Sequence, residues 1–148
     1  MKAASDWLNL AEPKINSVLF QDADLPKIDM VIVDTSIWVT HLRQGSRQLE
    51  KLLLDAEVMC HPFIVGELAC GNLKNRNEII SLLQSLPMAP TIEFDEFLFF
   101  IDRNQLMGKG VGFVDVHLLA SAKLAEVPLL TTDKRLKSAA DQLELTLK

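Results

Sequence analysis

Met30-Val31-Ile32-Val33-Asp34-Thr35-Ser36-Ile37-Trp38 decides how the chain is read. A β-branched run such as Val31 to Val33 is stiff at χ1 and suits a strand buried on both faces. The run stops at a carboxylate and passes at once into a helical pattern, Ser36 to Leu42. In open α/β sheets ligands bind outside the carboxyl ends of the strands. Asp34 therefore stands at the expected edge.

Outward from this point the pattern repeats. Ser46 to Ala56 reads as a helix set off by Gly45, and Val58 to Cys60 as a short strand. Pro62 to Gly71 reads as a helix, with proline in its first turn and glycine as its stop. Asn75 to Leu86 is a helix ended by Pro87, and Met88 to Pro90 is a short strand. Phe94 to Met107 is a strongly apolar helix, followed by the loop Gly108-Lys109-Gly110-Val111-Gly112. A helix from Asp115 to Ala125, a strand from Leu129 to Thr131, a helix from Lys134 to Ala140 and a last strand from Leu143 to Leu147 complete the order. Strands alternating with helices imply an α/β fold with a parallel sheet covered on both faces.

Three further carboxylates share the position of Asp34 at the ends of apolar runs: Glu67, Asp115 and Asp133. Each has an ordinary reading. Asp is a favoured N-cap, and Glu67 could face solvent from its helix. Together they say more. Ionised carboxylates beside apolar surface are costly unless paired. Four of them converging on one cleft are tolerable around a cation, and hard oxygen ligands suit Mg²⁺ or Mn²⁺. Such ions neutralise phosphate charge and lower the pKa of water, so the set points to divalent-metal phosphoryl chemistry. Thr35, Ser36 and Thr132 are placed to orient carboxylates by hydrogen bonding.

The bulk properties agree. The 148 residues suffice for one domain with a substantial core. The net charge of −5 argues against binding nucleic acid through a broad basic surface. It leaves room for local cations, among them Arg43, Lys134 and Arg135 as candidate RNA contacts. No apolar stretch approaches the ~20 residues that span a bilayer. The N-terminus lacks the pattern of a signal peptide, so a cytoplasmic protein is expected. Cys60 and Cys70 read as reduced, buried thiols, and His41, His61 and His117 as structural residues. The glycine-rich loop lacks the Gly-Lys-Ser/Thr ending of a phosphate loop and follows no strand.

Four ordered stretches carry a family resemblance: Asp34-Thr35-Ser36, Glu67-Leu68-Ala69-Cys70-Gly71, Gly112-Phe113-Val114-Asp115-Val116-His117-Leu118-Leu119-Ala120 and Leu130-Thr131-Thr132-Asp133-Lys134-Arg135. The chain resembles the PIN-domain nucleases, and within them the VapC toxins of toxin–antitoxin modules. The resemblance covers residues 30–148. It implies a three-layer α/β/α sandwich with a central parallel sheet. It also implies an Mg²⁺- or Mn²⁺-dependent endoribonuclease that cleaves RNA, forms a homodimer and is neutralised by a VapB-type antitoxin. The family's acidic set carries over to Asp34, Glu67, Asp115 and Asp133, and its hydroxyl positions to Thr35 or Ser36 and Thr132. The alternatives are a PIN-like nuclease acting on DNA or on a particular structure, a non-catalytic binding module, and an aspartyl phosphatase. The phosphatase usually needs a carboxylate where Ser36 stands.

Two expectations concern surfaces. Phe94, Phe97, Leu98, Phe99, Phe100 and Ile101 put apolar groups around most of one helix, which then needs burial on more than one side. Part of it, with Leu82 and Leu83, is expected to pack against a second copy. Residues 1–29, upstream of the start that Met30 matches, read as an N-terminal extension or a docking segment.

Overall fold

The structure is a computed structural model that describes residues 29–147. The reading of residues 1–29 as a separate segment thus falls almost wholly outside the described residues. The strands are β1 (Val31–Val33), β2 (Val58–Met59) and β3 (Leu129–Leu130). The helices are α1 (Thr35–Gln44), α2 (Arg47–Leu54), α3 (Pro62–Ala69), α4 (Arg76–Ser85), α5 (Phe94–Asn104), α6 (Phe113–Ala125) and α7 (Lys134–Gln142).

The sheet runs β2-β1-β3, all parallel. Val31 pairs with Val58, and Val33 with Leu130. Side chains of successive strand residues point to opposite faces. Val31, Ile32 and Val33 are all within 1% of full burial, so both faces of β1 are covered. That is the two-sided covering expected from the β-branched run. Ile64, Leu118, Leu119 and Leu136 are fully buried and bring α3, α6 and α7 onto the sheet.

Local chemistry sets the helix starts. The Ser46 side chain accepts the Leu49 amide at the head of α2. The His61 ring accepts the Phe63 amide at the head of α3, where Pro62 has no amide to satisfy. Leu86 turns extended before Pro87, which ends α4.

Several boundaries differ from the sequence reading. α6 starts at Phe113, so Asp115 lies inside its first turn instead of opening it. α5 stops at Asn104, because Gln105 adopts a left-handed conformation. The strands expected at Met88 to Pro90 and Leu143 to Leu147 shrink to single parallel bridges, Cys60 with Met88 and Leu129 with Thr146. They widen the sheet at both edges without forming full strands. Cys60 is buried, and burial pushes its thiol up to about 11; Cys70 is exposed where α3 ends, so only one thiol is buried as expected. Leu83 is buried in this chain's own core, which removes it from the expected contact with a second copy.

Candidate active site

The strand order places a topological switch point between β1 and β3. β2 lies on one side of β1 and β3 on the other, so the chain leaves β1 in opposite directions and a crevice opens at its carboxyl end. Asp34 follows β1 directly, and its amide donates to the Leu130 carbonyl at 2.9 Å. It is 6% exposed. Although it occupies the N-cap position of α1, its side chain caps no amide. Instead Oδ2 accepts two hydroxyls, Ser36 Oγ at 2.8 Å and Thr131 Oγ1 at 2.7 Å. The ordinary reading of Asp34 as a helix cap therefore fails.

The two hydroxyls are themselves held. Ser36 Oγ accepts the Thr132 amide at 3.2 Å, and Thr131 Oγ1 accepts the Asp133 amide at 3.0 Å. This small network ties the end of β1 to the turn after β3. Thr131 was missed in the sequence, where Thr132 drew attention. Thr132 contributes its backbone amide to the network. The missing information was the register: once Val33 faces Leu130, the next residues on the two strands are Asp34 and Thr131.

The other carboxylates arrive from three helices. Glu67, in α3, accepts Thr35 Oγ1 at 3.0 Å. Asp115, in the first turn of α6, accepts the Gly112 amide at 3.1 Å. Asp133 does cap α7, with Oδ1 accepting the Arg135 and Leu136 amides at 2.9 Å each.

Electrostatics couples the set. Burial raises the Glu67 carboxyl above its usual range; the charges of Asp34 and Asp115 push the same way, and the Thr35 hydroxyl opposes them. Burial also raises Asp115, reinforced by Asp34 and Asp133 and opposed by the Gly112 amide. All four carboxylates thus act on a common region, though they come from positions as far apart in sequence as 34 and 133.

The donor set is chemically suited to a small divalent cation: ionisable oxygens that repel one another and have no cationic partner of their own among these hydrogen bonds. Yet among the described residues no three His, Cys, Asp or Glu side chains close into a ligand cluster. The two observations are compatible. Mg²⁺ is commonly held by one or two carboxylates, with waters and substrate phosphate completing the octahedron.

The expected cations divide. Lys134 and Arg135 open α7 beside Asp133. Arg43 lies in the last turn of α1, eight residues beyond Thr35 and so ~12 Å along the helix axis from the site. It is not brought to the carboxylates. The histidines serve the core. His61 is fully buried between the Phe63 amide and Ser121 Oγ, and burial holds its ring down to about 4.

A family model for the PIN domain matches residues 31–142. Two curated relatives, both called Ribonuclease VapC32, come from Mycobacterium tuberculosis strains CDC 1551 / Oshkosh and ATCC 25618 / H37Rv. Each is 42% identical over 119 residues, covering 80% of this chain and 96% of the relative. With the parallel sheet, the crevice at Asp34 and the coupled carboxylates, these matches establish that the chain belongs to the PIN-domain family.

Proposed function

We propose that this protein is a divalent-metal-dependent endoribonuclease, the toxin of a toxin–antitoxin pair, with Asp34, Glu67, Asp115 and Asp133 as its metal-binding and catalytic carboxylates. The observation that carries the reading is the electrostatic coupling of all four at the β1–β3 crevice, with Asp34 locked by two hydroxyls. Both relatives are called ribonucleases, and PIN-domain ribonucleases generally use divalent metal ions. Mg²⁺ or Mn²⁺, when bound, supplies neutralisation of phosphate charge and lowers the pKa of water.

The chain's own residues prepare that chemistry. Ser36 and Thr131 fix the Asp34 carboxylate in one orientation, and no α1 amide competes for it. Both amides that Asp133 caps at α7 fall on Oδ1, so Oδ2 takes no part in the cap. Thr35 steadies Glu67. Glu67 and Asp115, raised by burial and by their neighbours' charge, become fully ionised most readily when a cation offsets that charge. Lys134 and Arg135 offer local positive charge for the phosphate backbone.

Purified protein incubated with cellular RNA is expected to cleave it in Mg²⁺ or Mn²⁺, to stop in EDTA and to resume when metal is restored in excess. Cleavage that continues undiminished in EDTA would remove the metal from the mechanism. Cleavage of DNA but not RNA would move the protein to another branch of nucleases.

The partners follow from the same reading: RNA as substrate, a VapB-type antitoxin as inhibitor and a second copy of the chain. We assign the contact between copies to α5. Phe97 is buried beneath it, but Phe94 (60%), Leu98 (46%) and Phe99 (64%) remain exposed. Three large apolar side chains left in water on one helix favour burial against another surface. Sedimentation at micromolar concentration should report a dimer, and Phe99→Glu a monomer. A wild-type monomer would reject this contact. Among the described residues no helix is long and apolar enough to cross a membrane.

A further inference from the structure

The loop between α5 and α6 leads into Asp115 and is lightly held. Gln105, Gly108 and Gly110 all take positive φ, at 53°, 71° and 78°. Among the described residues Gly110 and Val111 make no hydrogen bond. Val111 packs, partly buried, against the core. Gly110 is covered instead by a side chain from α7. A β-carbon there would lie 2.5 Å from Arg135 Cδ and 3.0 Å from its Nε and Nη1. The Arg135 side chain therefore crosses the loop over backbone kept bare for it. A β-carbon at Gly108 would meet nothing within 4 Å, so of these two left-handed glycines only Gly110 lies under another residue.

Arg135 starts from a fixed root. Its amide donates to Asp133 Oδ1 at 2.9 Å, and the next residue, Leu136, is fully buried. The loop in turn ends on Asp115. The Gly112 amide donates to Asp115 Oδ2 at 3.1 Å, and the Gly112 carbonyl accepts the Val116 amide at 3.0 Å. Space around Gly112 is open: a β-carbon there would meet nothing within 4 Å. The amide that orients Asp115 thus depends on how the chain before it is held. Two residues before it stands Gly110, under Arg135.

We propose that Arg135 and Gly110 form a clasp between α7 and the α5–α6 loop that positions the Asp115 carboxylate for metal binding. The inference rests on the metal-site reading and adds two positioning residues to it. The clasp is made by the length of the arginine side chain, so it is separable from any attraction of its charge for phosphate. A long arginine stem covers neighbouring surface while its head stays in water. Glycine suits position 110 on two grounds, the positive φ and the close approach. Groups that orient a metal ligand typically change metal affinity about ten- to a hundredfold when they are lost.

The test uses the full chain without RNA. Mn²⁺ affinity is measured by calorimetry. Loosening of the loop is measured in EDTA, as the rate at which a lysine-specific protease cuts after Lys109. Arg135→Ala removes both the stem and the charge. Arg135→Met removes the charge but keeps a stem that reaches as far as Nε. Arg135→Ala should weaken Mn²⁺ about tenfold and speed the cut, whereas Arg135→Met should stay within about twofold of wild type in both. Gly110→Ala should behave as Arg135→Ala does. Gly108→Ala carries the same left-handed strain without the contact and should bind Mn²⁺ as wild type does. The Arg135 side chain is exposed, so both of its variants should melt within a few degrees of wild type. Equal Mn²⁺ affinity for Arg135→Ala and Arg135→Met would overturn the inference, as would equal affinity for Gly110→Ala and Gly108→Ala. Faster cutting with unchanged Mn²⁺ binding would reduce the contact to a brace of the loop and overturn the positioning role. Mn²⁺ binding by wild type with no effect of Arg135→Ala rejects the clasp alone, whereas absence of Mn²⁺ binding by wild type rejects the metal-site reading and the positioning role with it.

Discussion

Replacing Asp34 by Asn is expected to lower RNA cleavage about a thousandfold while leaving the protein folded. The magnitude is that of removing a preorganised charge from a catalytic centre. Asp34 is the most buried of the four carboxylates and the one held by two side-chain hydroxyls. Asparagine is nearly isosteric, and its carbonyl oxygen can still accept from Ser36 and Thr131. It loses the extra strength of bonds to a charged acceptor, ~1 kcal/mol. Against that, it removes a negative charge that acts on both Glu67 and Asp115. The two effects are of similar size and opposite sign. In EDTA the variant should melt within a few degrees of wild type, and the Glu67 and Asp115 carboxyls should titrate at lower pH. Retained cleavage would contradict the assignment of the site. A large fall in melting temperature would make Asp34 a structural residue of the β1–α1 junction.

Acid should destabilise the protein mainly through its buried histidines. The His61 ring is held down to about 4 by burial and by the neighbouring His117, against an ordinary value of 6.5. The unfolded chain takes up a proton near pH 6.5, but the folded chain resists until about pH 4. Between those values the unfolded state binds more protons, so stability falls as pH falls. The shift corresponds to about 3 kcal/mol for His61, a large share of a typical domain's stability. His41 and His117 are lowered as well, first by burial, and act in the same direction. Glu67 and Asp115 act in the opposite direction, because a carboxyl raised by burial, and then by neighbouring charge, takes up its proton more readily in the folded state. His61→Asn separates these contributions. Its amide oxygen stands where Nδ1 accepts the Phe63 amide, it does not titrate, and its loss of the Nε2 contact with Ser121 lowers stability alike at every pH. Unfolding free energies from denaturant titrations between pH 7 and pH 4 should converge between wild type and variant by about 3 kcal/mol. Parallel curves would mean that His61 is not the acid-sensitive group.

The course of the chain through its core was legible because β1 is the clearest kind of strand. Three β-branched residues buried on both faces leave no alternative periodicity, and the carboxylate after them falls at a strand end by necessity. All four candidate carboxylates were found for a similar reason: charge interrupting apolar sequence is conspicuous. What escaped was information carried by pairing between distant segments. Thr131 became visible only through the register of β1 against β3, and a sequence shows strands without their registers. Leu143 to Leu147 alternates like a strand, but among the described residues it meets the sheet as a single bridge, Leu129 with Thr146. Leu83 and Leu98 look alike in a helical pattern, yet one belongs to the core and the other to the surface. Arg43 was a candidate by charge alone, and the length of α1 carries it away from the site. Arg135 was chosen on the same ground, and the bare backbone of Gly110 gives it a defined place.

The central claim is that the carboxylates at the β1–β3 crevice hold one divalent site. Calorimetric titration of Mn²⁺ into the RNA-free protein tests it most directly. Wild type should bind saturably, and more weakly as pH is lowered and the carboxylates take up protons. Asp34→Asn should bind at least about tenfold more weakly. Equal binding by the two proteins, or no binding by wild type, would contradict the account.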